Sequence, residues 1–327
     1  MQFRELGKTG IKVSEIGFGA WAIGGEMWGK QDDADSIAAL HKALDLGCNF
    51  FDTALAYGDG HSEKLIHQVL KERGGLNDVV IATKVPPKNG VWDPPTSTPI
   101  GKEFPPGWIV KCCERSLKNL GRDWIDILQL HTWNPAWAER VGWYEAMLKL
   151  KEQGKIRAIG ISVSAVRHDE ANPHIKKKRV DSIQVIHNIF DQAAEKTLFS
   201  LAEKKGVGIL SRVPLASGAL TGKFKRDTKF PKDDWRSERP QKNWIAEMID
   251  QVEKIKFVTE DGTSLTHAAL KYCLAHPAVS AVIPGIRNAK QAEDNFAASD
   301  GKLMPAEHVA RLRELYRRKA IGGSFFT

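Results

Sequence analysis

The chain has no run of apolar residues near the ~18 that a membrane-spanning helix requires, and its first residues, Met1–Glu5, lack the apolar segment of a secretory signal. Only four cysteines occur in 327 residues, and none of them forms a C-x-x-C pair. Because such pairs are typical of zinc sites, the sequence predicts no metal centre, and free thiols suit a reducing compartment. These absences predict a cytoplasmic protein that does not associate with membranes.

A large excess of one charge sign is also absent. The chain has 48 basic and 40 acidic residues, and the net charge of +8 is spread along its length. The densest basic runs, Lys176–Arg179 and Arg317–Lys319, are not interleaved with aromatic residues and accompany no nucleic-acid-binding motif. We interpret them as solvated helix ends and expect no nucleic-acid partner. A mild basic surplus also suits a site for a phosphorylated cofactor.

The chain does have a globular composition, with 42% hydrophobic residues arranged in a repeating pattern. Short apolar runs alternate with segments of helical periodicity, as in parallel strands joined by helices. The predicted strands are Glu15–Gly19, Asn49–Thr53, Val79–Lys84, Ile125–His131, Ile156–Ser162, Ser182–Asn188, Val207–Val213 and Ser280–Gly285. The predicted helices include Ser36–Leu46, Ser62–Lys71, Ile109–Leu120, Trp143–Glu152, Lys196–Lys204 and Leu265–Ala275. Such strand–helix units favour a single α/β domain over residues 1–327, a (β/α)₈ TIM barrel rather than an open doubly wound sheet.

The spacing of the strands locates the inserted segments. The two longest gaps contain Pro86–Gly107, after the third strand, and Pro214–Trp244, after the seventh. Both segments follow a strand directly, so we expect two long loops on the catalytic face of the barrel. At the other end, Phe3–Val13 predicts a β-hairpin that plugs the barrel. The tail from Pro305 predicts a last helix followed by the irregular segment Ile321–Thr327.

One motif is misleading. The segment Gly17–Ala22 fits the dinucleotide-binding pattern G-x-G-x-x-G/A after a predicted strand. A Rossmann site needs a helix at this point and an acidic residue at the end of a second strand about 20 residues later. Here the sequence continues as a loop, and the next strand ends later, at Asp52. We therefore reject a Rossmann site.

Four polar residues lie at or just after the ends of consecutive predicted strands. Asp52 lies at the end of the second strand and Tyr57 shortly after it, Lys84 ends the third, and His131 ends the fourth. Barrel closure brings these ends around one mouth, and buried charges need partners, so we expect Asp52 and Lys84 to pair. The pair is expected to lower the pKa of Tyr57 and make its phenol a general acid, while His131 orients a carbonyl group. Taken singly, Lys84 and His131 also fit purely structural roles.

The segments that carry these residues resemble those of the aldo-keto reductases. They are Phe50–Ala54 with Tyr57-Gly58, Ala82–Lys84 and Asp126–His131, and the likeness extends from Leu6-Gly7 to Val282–Gly285. The resemblance is to NADP(H)-dependent oxidoreductases of the bacterial type. It implies the catalytic tetrad Asp52, Tyr57, Lys84 and His131.

The resemblance also implies which residues hold the cofactor. Ser162 and Gln184 lie where the family binds the nicotinamide carboxamide, with Val163 where Asn is usual. Arg212 stands in place of an aromatic ring that stacks on the nicotinamide. A guanidinium plane can stack in the same way, and the alternative is that Arg212 turns away to pair with an acidic residue. The other implied contacts are Gly19, Ala20, Trp21, Val213, Pro214, Leu215, Ser217, Gly218, Leu220 and Lys223.

The adenosine phosphate is expected at the start of the last barrel helix, where a helix N-terminus favours an anion. Arg287 and nearby Lys290 add positive charge there, while Gln291 stands where many members of the family have an arginine. NADP(H) is the preferred cofactor and NAD(H) the alternative. The implied contacts are Gly285, Arg287, Gln291 and Asn295.

Ten tryptophans is a high count, and several fall near the expected rim of the site, including Trp92, Trp108 and Trp235. Trp21 and Trp133 directly follow the first and fourth strands, which makes them the best candidates for the substrate pocket. The expected substrate contacts are Trp21, Tyr57, His131 and Trp133.

These observations predict an NADPH-dependent oxidoreductase that reduces an aldehyde or ketone to an alcohol. Its expected partner is a small carbonyl or alcohol molecule. One alternative is a redox-sensing regulatory subunit, for example of a channel, that binds the nucleotide and turns over very slowly. A second alternative is an isomerase or aldolase that uses Lys84 to form a Schiff base. No sequence feature points to a particular oligomeric state.

Overall fold

The alternating pattern produces eight parallel strands in one sheet that closes on itself. The computed structural model describes residues 1–239 and 243–322 of the chain. After a hairpin of β1 (Phe3–Glu5) and β2 (Lys12–Ser14), the barrel strands are β3 (Phe18–Gly19), β4 (Phe50–Asp52), β5 (Val80–Val85), β6 (Ile125–Leu130), β7 (Ile156–Ser162), β8 (Ser182–Ile186), β9 (Gly208–Arg212) and β10 (Val279–Ile283). Each barrel strand pairs in parallel with the next one in the chain, which confirms the predicted (β/α)₈ barrel.

Closure of the barrel explains the misleading glycine motif. The N–H of Gly17 donates to the Val282 carbonyl at 2.8 Å, and the N–H of Gly19 donates to the Pro284 carbonyl at 3.0 Å. A Cβ atom on Gly19 would lie 2.6 Å from the Pro284 oxygen, which is closer than side chains come. A 3₁₀ turn, Ala22–Gly24, follows in place of a helix. The glycines therefore let two strands approach closely and do not form a Rossmann site.

The helices pack one face against the strands. They are α1 (Asp33–Asp45), α2 (His61–Glu72), α3 (Ile100–Glu103), α4 (Pro106–Leu120), α5 (Gly142–Glu152), α6 (Asn172–Lys176), α7 (Leu198–Lys205), α8 (Trp244–Lys254), α9 (Leu265–Leu274), α10 (Ala289–Ala297) and α11 (Ala306–Arg317). The predicted helices are confirmed with small shifts at their ends. For example, α4 begins at Pro106 rather than Ile109, because proline suits the first turn, where an N–H has no partner within the helix. Among the described helices, none is long and apolar enough to cross a bilayer.

The N-terminal hairpin closes the end of the barrel that lies opposite the catalytic loops. Apolar side chains of the hairpin and of the barrel interior form one buried cluster, which contains Leu6, Ile11, Val13, Phe50, Val80, Ala82, Ile127, Ala158, Leu210, Ala281 and Ile283. This cluster removes the interior of the barrel from water, which is the main favourable contribution of the hairpin to folding. The predicted plug is confirmed.

The two predicted long loops follow β5 and β9. The loop after β5 is held by side chains of later elements: the indole N–H groups of Trp108 and Trp137 donate to the Pro86 and Thr98 carbonyls at 2.8 and 2.7 Å. The loop after β9 contains two 3₁₀ turns, Ala216–Thr221 and Trp235–Glu238. Residues 240–242 of the predicted insertion Pro214–Trp244 and residues 323–327 of the predicted tail lie outside the described residues.

Candidate active site

Asp52 and Lys84 form a buried ion pair at the ends of β4 and β5. The Lys84 Nζ atom donates to Asp52 Oδ1 and to the Thr53 carbonyl, both at 2.7 Å, and the two charged side chains are almost fully buried. The N–H of Ala20 donates to the Asp52 carbonyl at 2.9 Å, so the loop after β3 supports this strand end. The structure therefore brings together the two charges whose pairing the sequence predicts.

Two glutamines hold the other carboxylate oxygen of Asp52. Gln184 on β8 donates from Nε2 to Asp52 Oδ2 at 2.7 Å, and Gln129 on β6 donates to the same oxygen at 3.4 Å. Gln184, which the resemblance assigns to the nicotinamide carboxamide, therefore also positions a tetrad member. The role of Gln129 could not be predicted from the sequence, because the direction of its side chain into the barrel depends on strand register.

Tyr57 and His131 lie between this ion pair and the mouth of the barrel. The Lys84 Nζ atom lies 5.2 Å from the centre of the Tyr57 ring, and the rings of Tyr57 and His131 are 5.5 Å apart in an edge-to-face arrangement. Both rings are partly exposed, whereas Lys84 is fully buried. A molecule at the mouth can therefore reach the phenol and the imidazole but not the ammonium.

Burial determines the protonation of both rings. It raises the pKa of Tyr57 above the usual value of 10.0, and the positive charges of Lys84 and Arg212 offset this only in part. The prediction that the Asp52–Lys84 pair lowers the pKa of this phenol is therefore wrong, because desolvation outweighs the ammonium. Burial, with Lys84 and Arg212, lowers the pKa of His131 well below 6.5. At neutral pH the phenol is protonated and the imidazole is neutral.

Arg212 ends β9 beside the tetrad. Its Nη2 atom donates to the carbonyl of Val163 at 3.0 Å, and its Nε atom is buried and has no hydrogen-bond partner among the described residues. Within residues 1–239 and 243–322, no carboxylate lies at ion-pair distance from this guanidinium. The alternative in which Arg212 turns away to form an ion pair is therefore not the arrangement seen. Ser162 lies at the end of β7, opposite Gln184 in the strand register.

The loop after β9 begins with an unusual backbone. Positive φ angles occur at Val213 (59°), Ala216 (46°), Ser217 (57°) and Gly218 (99°), and such an angle is a clear outlier for a β-branched residue. Successive residues of this kind can turn their N–H groups towards an anion. The Ser217 hydroxyl is buried and lacks a partner in the described part of the chain.

The other residues of this loop that are predicted to contact the cofactor differ in how exposed their side chains are. Leu220 is fully buried in the hydrophobic core, Lys223 is exposed, and Leu215 is partly buried. Pro214 is buried directly after the positive-φ residue Val213. Of these side chains, Lys223 has the charge and the exposure that a phosphate contact requires, whereas Leu220 contributes to packing.

The predicted phosphate end lies at the N-terminus of α10. The N–H of Arg287 donates to Gln291 Oε1 at 2.9 Å, so the side-chain oxygen of Gln291 already accepts a hydrogen bond within this turn. The guanidinium of Arg287 donates to Gln31 Oε1 at 2.8 Å and to the Lys30 carbonyl at 2.7 Å, which ties it to the loop after β3. Asn295 is buried on α10, and Gly285 is exposed before it. Arg287 thus brings a positive charge that no neighbouring carboxylate in the described residues neutralises.

Trp21 lies at the mouth, as the sequence predicts, but Trp133 does not. The Trp21 ring is nearly parallel to that of Tyr57 at 6.2 Å. Trp133 is fully buried and packs against Trp137, Trp143 and His174 at 4.6 to 5.5 Å between ring centres. The assignment of Trp133 to the substrate pocket is therefore wrong, because its side chain is buried against residues of α5 and α6.

Trp92, rather than Trp133, is the tryptophan that lies beside His131 at the mouth. Its ring lies 4.8 Å from that of His131, and about half of the side chain is exposed. The residue comes from the loop after β5, and the sequence marks it only as one of several tryptophans near the rim. Its contact with His131 could not be read from spacing, because the loop folds back across the next strand end.

The family to which the chain belongs follows from comparison with known proteins. The model of the Aldo/keto reductase family matches residues 15–317. The chain is 33% identical to aldo-keto reductase YhdN of Bacillus subtilis (strain 168), over 90% of this chain and 87% of that protein. It is 29% identical to an Arabidopsis thaliana protein named "Probable voltage-gated potassium channel subunit beta", over 92% of each.

The solved structures agree with this comparison. The glycerol dehydrogenase AKR11B4 from Gluconobacter oxydans has a TM-score of 0.79 and 29% identity to this chain, with coverage of 97% of this chain and 95% of that one. Sequence and fold therefore match over nearly the whole length. Together with the family match, they show that this chain belongs to the aldo/keto reductase family of oxidoreductases.

Proposed function

We propose that the protein reduces an aldehyde or ketone to an alcohol with NADPH. The observation that supports this best is the partly exposed Tyr57, which lies next to His131 and above the buried Lys84–Asp52 pair. The same arrangement would oxidise an alcohol in the reverse direction. The substrate is a small molecule, and no membrane or nucleic acid is needed for this reaction.

Each tetrad residue has a distinct task in the proposal. Tyr57 keeps its proton at neutral pH and delivers it to the carbonyl oxygen, which becomes the hydroxyl of the alcohol. Lys84, held by Asp52, stabilises the tyrosinate that remains. His131 is neutral and donates or accepts a hydrogen bond to align the carbonyl group. Gln129 and Gln184 keep Asp52 in place.

The residues around the mouth fit a nicotinamide dinucleotide. Arg212 and Ser217 offer buried polar atoms that lack partners in the described residues, and such atoms are rare unless a ligand or water satisfies them. A bound nicotinamide supplies the hydride. Arg287 is the reason to prefer NADP(H) over NAD(H), because its charge is free to meet a 2′-phosphate. The buried, unpaired thiols of all four cysteines suit a reducing, cytoplasmic setting.

The substitution Tyr57→Phe tests the proposal, because it removes the phenolic proton and little else. We expect the kcat for carbonyl reduction to fall at least about 100-fold, the lower range for loss of a general acid, with the Kd for NADPH unchanged. The kcat is followed by loss of nicotinamide absorbance, and the Kd by fluorescence titration. Tyr144→Phe, on α5, is the matched control and should retain full activity. Wild-type turnover in Tyr57→Phe would contradict the proposed acid.

A regulatory subunit is the second candidate, since one relative is named as a channel subunit. A sensor of this kind would bind the nucleotide and oxidise it only very slowly. Steady-state turnover of wild-type protein separates the two candidates. The Schiff-base alternative is not favoured, because Lys84 is fully buried and donates to both Asp52 and Thr53.

A further inference from the structure

Asn188 follows β8 and closes a tight turn with its own backbone. Its N–H and carbonyl exchange hydrogen bonds of 3.0 and 3.1 Å with the carbonyl and N–H of Asp191. Its side-chain oxygen accepts from the N–H groups of Phe190 and Asp191, at 2.9 and 3.0 Å. The residue is only 2% exposed. Because the oxygen of this buried amide is held by two donors, the direction of its Nδ2 atom is fixed as well.

The Nδ2 atom of Asn188 points at the start of the loop after β9. It donates to the carbonyl of Val213 at 3.0 Å. Among the described residues with a positive φ angle, Val213 is the one with a β-branched side chain, and its φ is 59°. Such a side chain clashes with its own backbone in this conformation, which persists only where the surroundings enforce it. The hydrogen bond from Asn188 is one of the contacts that do so.

This hydrogen bond lies just beyond the end of the strand pairing. The N–H of His187 donates to the Arg212 carbonyl at 3.3 Å, and the Ser211 hydroxyl donates to the His187 carbonyl at 2.9 Å, so β8 and β9 stay joined up to Arg212. The next residue, Val213, already belongs to the loop. Asn188 therefore connects the first residue of the loop to the barrel by a side chain, at the point where the backbone pairing has ended.

The backbone that Asn188 holds belongs to the loop that is predicted to contact the cofactor. After Val213, positive φ angles recur at residues 216–218, and the buried Ser217 hydroxyl lacks a partner in the described part of the chain. The far end of this segment is held too, because Arg236 Nη1 donates to the Ser217 carbonyl at 3.1 Å. A segment that is fixed at both ends keeps its conformation before a ligand arrives, and such preorganisation tightens binding.

We propose that Asn188 is a positioning residue for the nicotinamide cofactor: it holds Val213 in left-handed backbone and so keeps residues 213–218 in the conformation that binds the cofactor. This rests on the proposed use of NADP(H). Without the amide, Val213 relaxes to an unstrained conformation in the free protein, and only the fraction of molecules that regains the left-handed one binds. The apparent Kd then rises by the inverse of that fraction.

A double-mutant cycle tests this role, because glycine adopts left-handed backbone without strain. The Kd for NADPH is measured by fluorescence titration in wild type, Asn188→Ala, Val213→Gly and the double variant. We expect Asn188→Ala to weaken binding about tenfold, which corresponds to about 1.4 kcal/mol and is a reasonable size for one strained residue. Val213→Gly alone should bind as wild type does. In the presence of Val213→Gly, the loss caused by Asn188→Ala should shrink to less than about twofold.

A second measurement follows the loop in the absence of cofactor. Amide hydrogen exchange, read by mass spectrometry on peptides that cover residues 213–222, reports how often this segment opens. Exchange of these peptides should be faster in Asn188→Ala than in wild type, and saturating NADPH should slow it in both. Equal exchange in the two free proteins would contradict the proposal.

Asn134→Ala is the matched control. Asn134 is also buried, and its amide makes the same kinds of contact: Nδ2 donates to the Pro94 carbonyl at 2.6 Å, and Oδ1 accepts from the Ala136 N–H at 3.0 Å. It holds the loop after β5, so its loss should lower thermal stability but leave the Kd for NADPH and the exchange of residues 213–222 unchanged. If Asn188→Ala does not fold, Asn188→Asp replaces it, because it keeps the acceptor oxygen and removes the donor to Val213.

The outcomes separate this proposal from the proposed function. If Asn188→Ala weakens binding equally with and without Val213→Gly, the amide does not act through the backbone of Val213 and the positioning role is overturned. If Asn188→Ala binds NADPH as wild type does, the role is overturned as well. In both cases, binding of NADPH by the wild type still supports the proposed cofactor. If the wild type binds neither NADPH nor NADH, both proposals fail.

Discussion

At the scale of the residue, Arg212 is the feature that most distinguishes this mouth. Burial raises the pKa of Tyr57, and the Arg212 charge opposes that rise in part, whereas at His131 the same charge adds to the lowering of the pKa by burial. The Nη2 atom of Arg212 is anchored on the Val163 carbonyl. Val163 itself stands where a side-chain amide is usual in the family. The two residues that differ from the family pattern are therefore in contact, through the backbone carbonyl of Val163. A cation here disfavours a second positive charge, such as that of an oxidised nicotinamide ring.

Arg212→Tyr should therefore tighten binding of NADP⁺ and change binding of NADPH less. We expect the ratio of the two dissociation constants to shift about tenfold. This corresponds to about 1.4 kcal/mol, which is modest for a charge placed beside the nicotinamide ring of the proposed cofactor. Fluorescence titration with both cofactor forms measures the ratio. Arg212→Lys is the matched control, because it retains the charge and should keep the wild-type ratio. If both variants behave alike, the charge of Arg212 does not act on the cofactor.

How much of the site the sequence can predict also depends on individual residues. Asp52, Tyr57, Lys84 and His131 could be identified because each lies at or near a strand end, and strand ends converge in a barrel. The direction of the Tyr57 pKa shift could not be predicted, because the burial that causes it depends on groups from many elements. Trp92 and Trp133 could not be distinguished, because the direction of each indole is determined by packing partners far away in the chain.

At the scale of the element, three loops on the catalytic face are joined to one another. The loop after β3 meets the loop after β9, where the N–H of Trp235 donates to the Met27 carbonyl at 2.9 Å. It also meets the start of α10, where Gln31 and Arg287 exchange hydrogen bonds of 2.8 and 2.9 Å. The sequence predicts the loop after β9 but not these contacts, because loop lengths indicate where a chain leaves the barrel and not what it touches.

These contacts make it possible to measure the effect of the Arg287 charge separately from the effect of its hydrogen bond to Gln31. Arg287→Ala should weaken NADPH binding by about 1.5–3 kcal/mol more than NADH binding, because a charge-assisted contact to the 2′-phosphate is lost. Gln31→Ala releases the same loop contact but leaves the charge, so it should affect both cofactors equally. Calorimetric titration of each variant with NADPH and NADH measures the two effects. Equal losses in Arg287→Ala would mean that the phosphate is recognised elsewhere.

At the scale of the whole molecule, the barrel is predictable because one simple pattern repeats along the chain. Continuous apolar strands and amphipathic helices alternate, and Gly19 permits the last strand to close on the first. The pattern does not show how the C-terminal helix joins the barrel. Glu195, in the 3₁₀ turn Ala193–Lys196 after β8, provides one polar link, beside the burial of Leu312 in the core. It accepts from Tyr272 on α9 at 2.9 Å and from Arg313 on α11 at 2.7 Å, and it lies 2.9 Å from His187 Nε2.

Protonation of Glu195 should therefore weaken the molecule as a whole. Burial by itself would raise the pKa of this carboxyl, but the contacts with His187, Arg313 and Tyr272 bring it down to about 2, from an ordinary value of 4.5. A depressed pKa means that the ionised form stabilises the fold above pH 4.5, and that this contribution is lost as the pH falls towards 2.

Glu195→Gln should lower the free energy of unfolding by about 1.5–3 kcal/mol at pH 7, the range for hydrogen bonds to a charged group. The difference between wild type and variant should shrink between pH 4.5 and pH 2, because protonation makes the wild-type carboxyl resemble the amide. Urea unfolding at several pH values, followed by circular dichroism, measures this difference. Glu203→Gln, on the exposed face of α7, is the control and should match wild type throughout. A difference that stays constant with pH would mean that the charge of Glu195 does not hold α11 to the barrel.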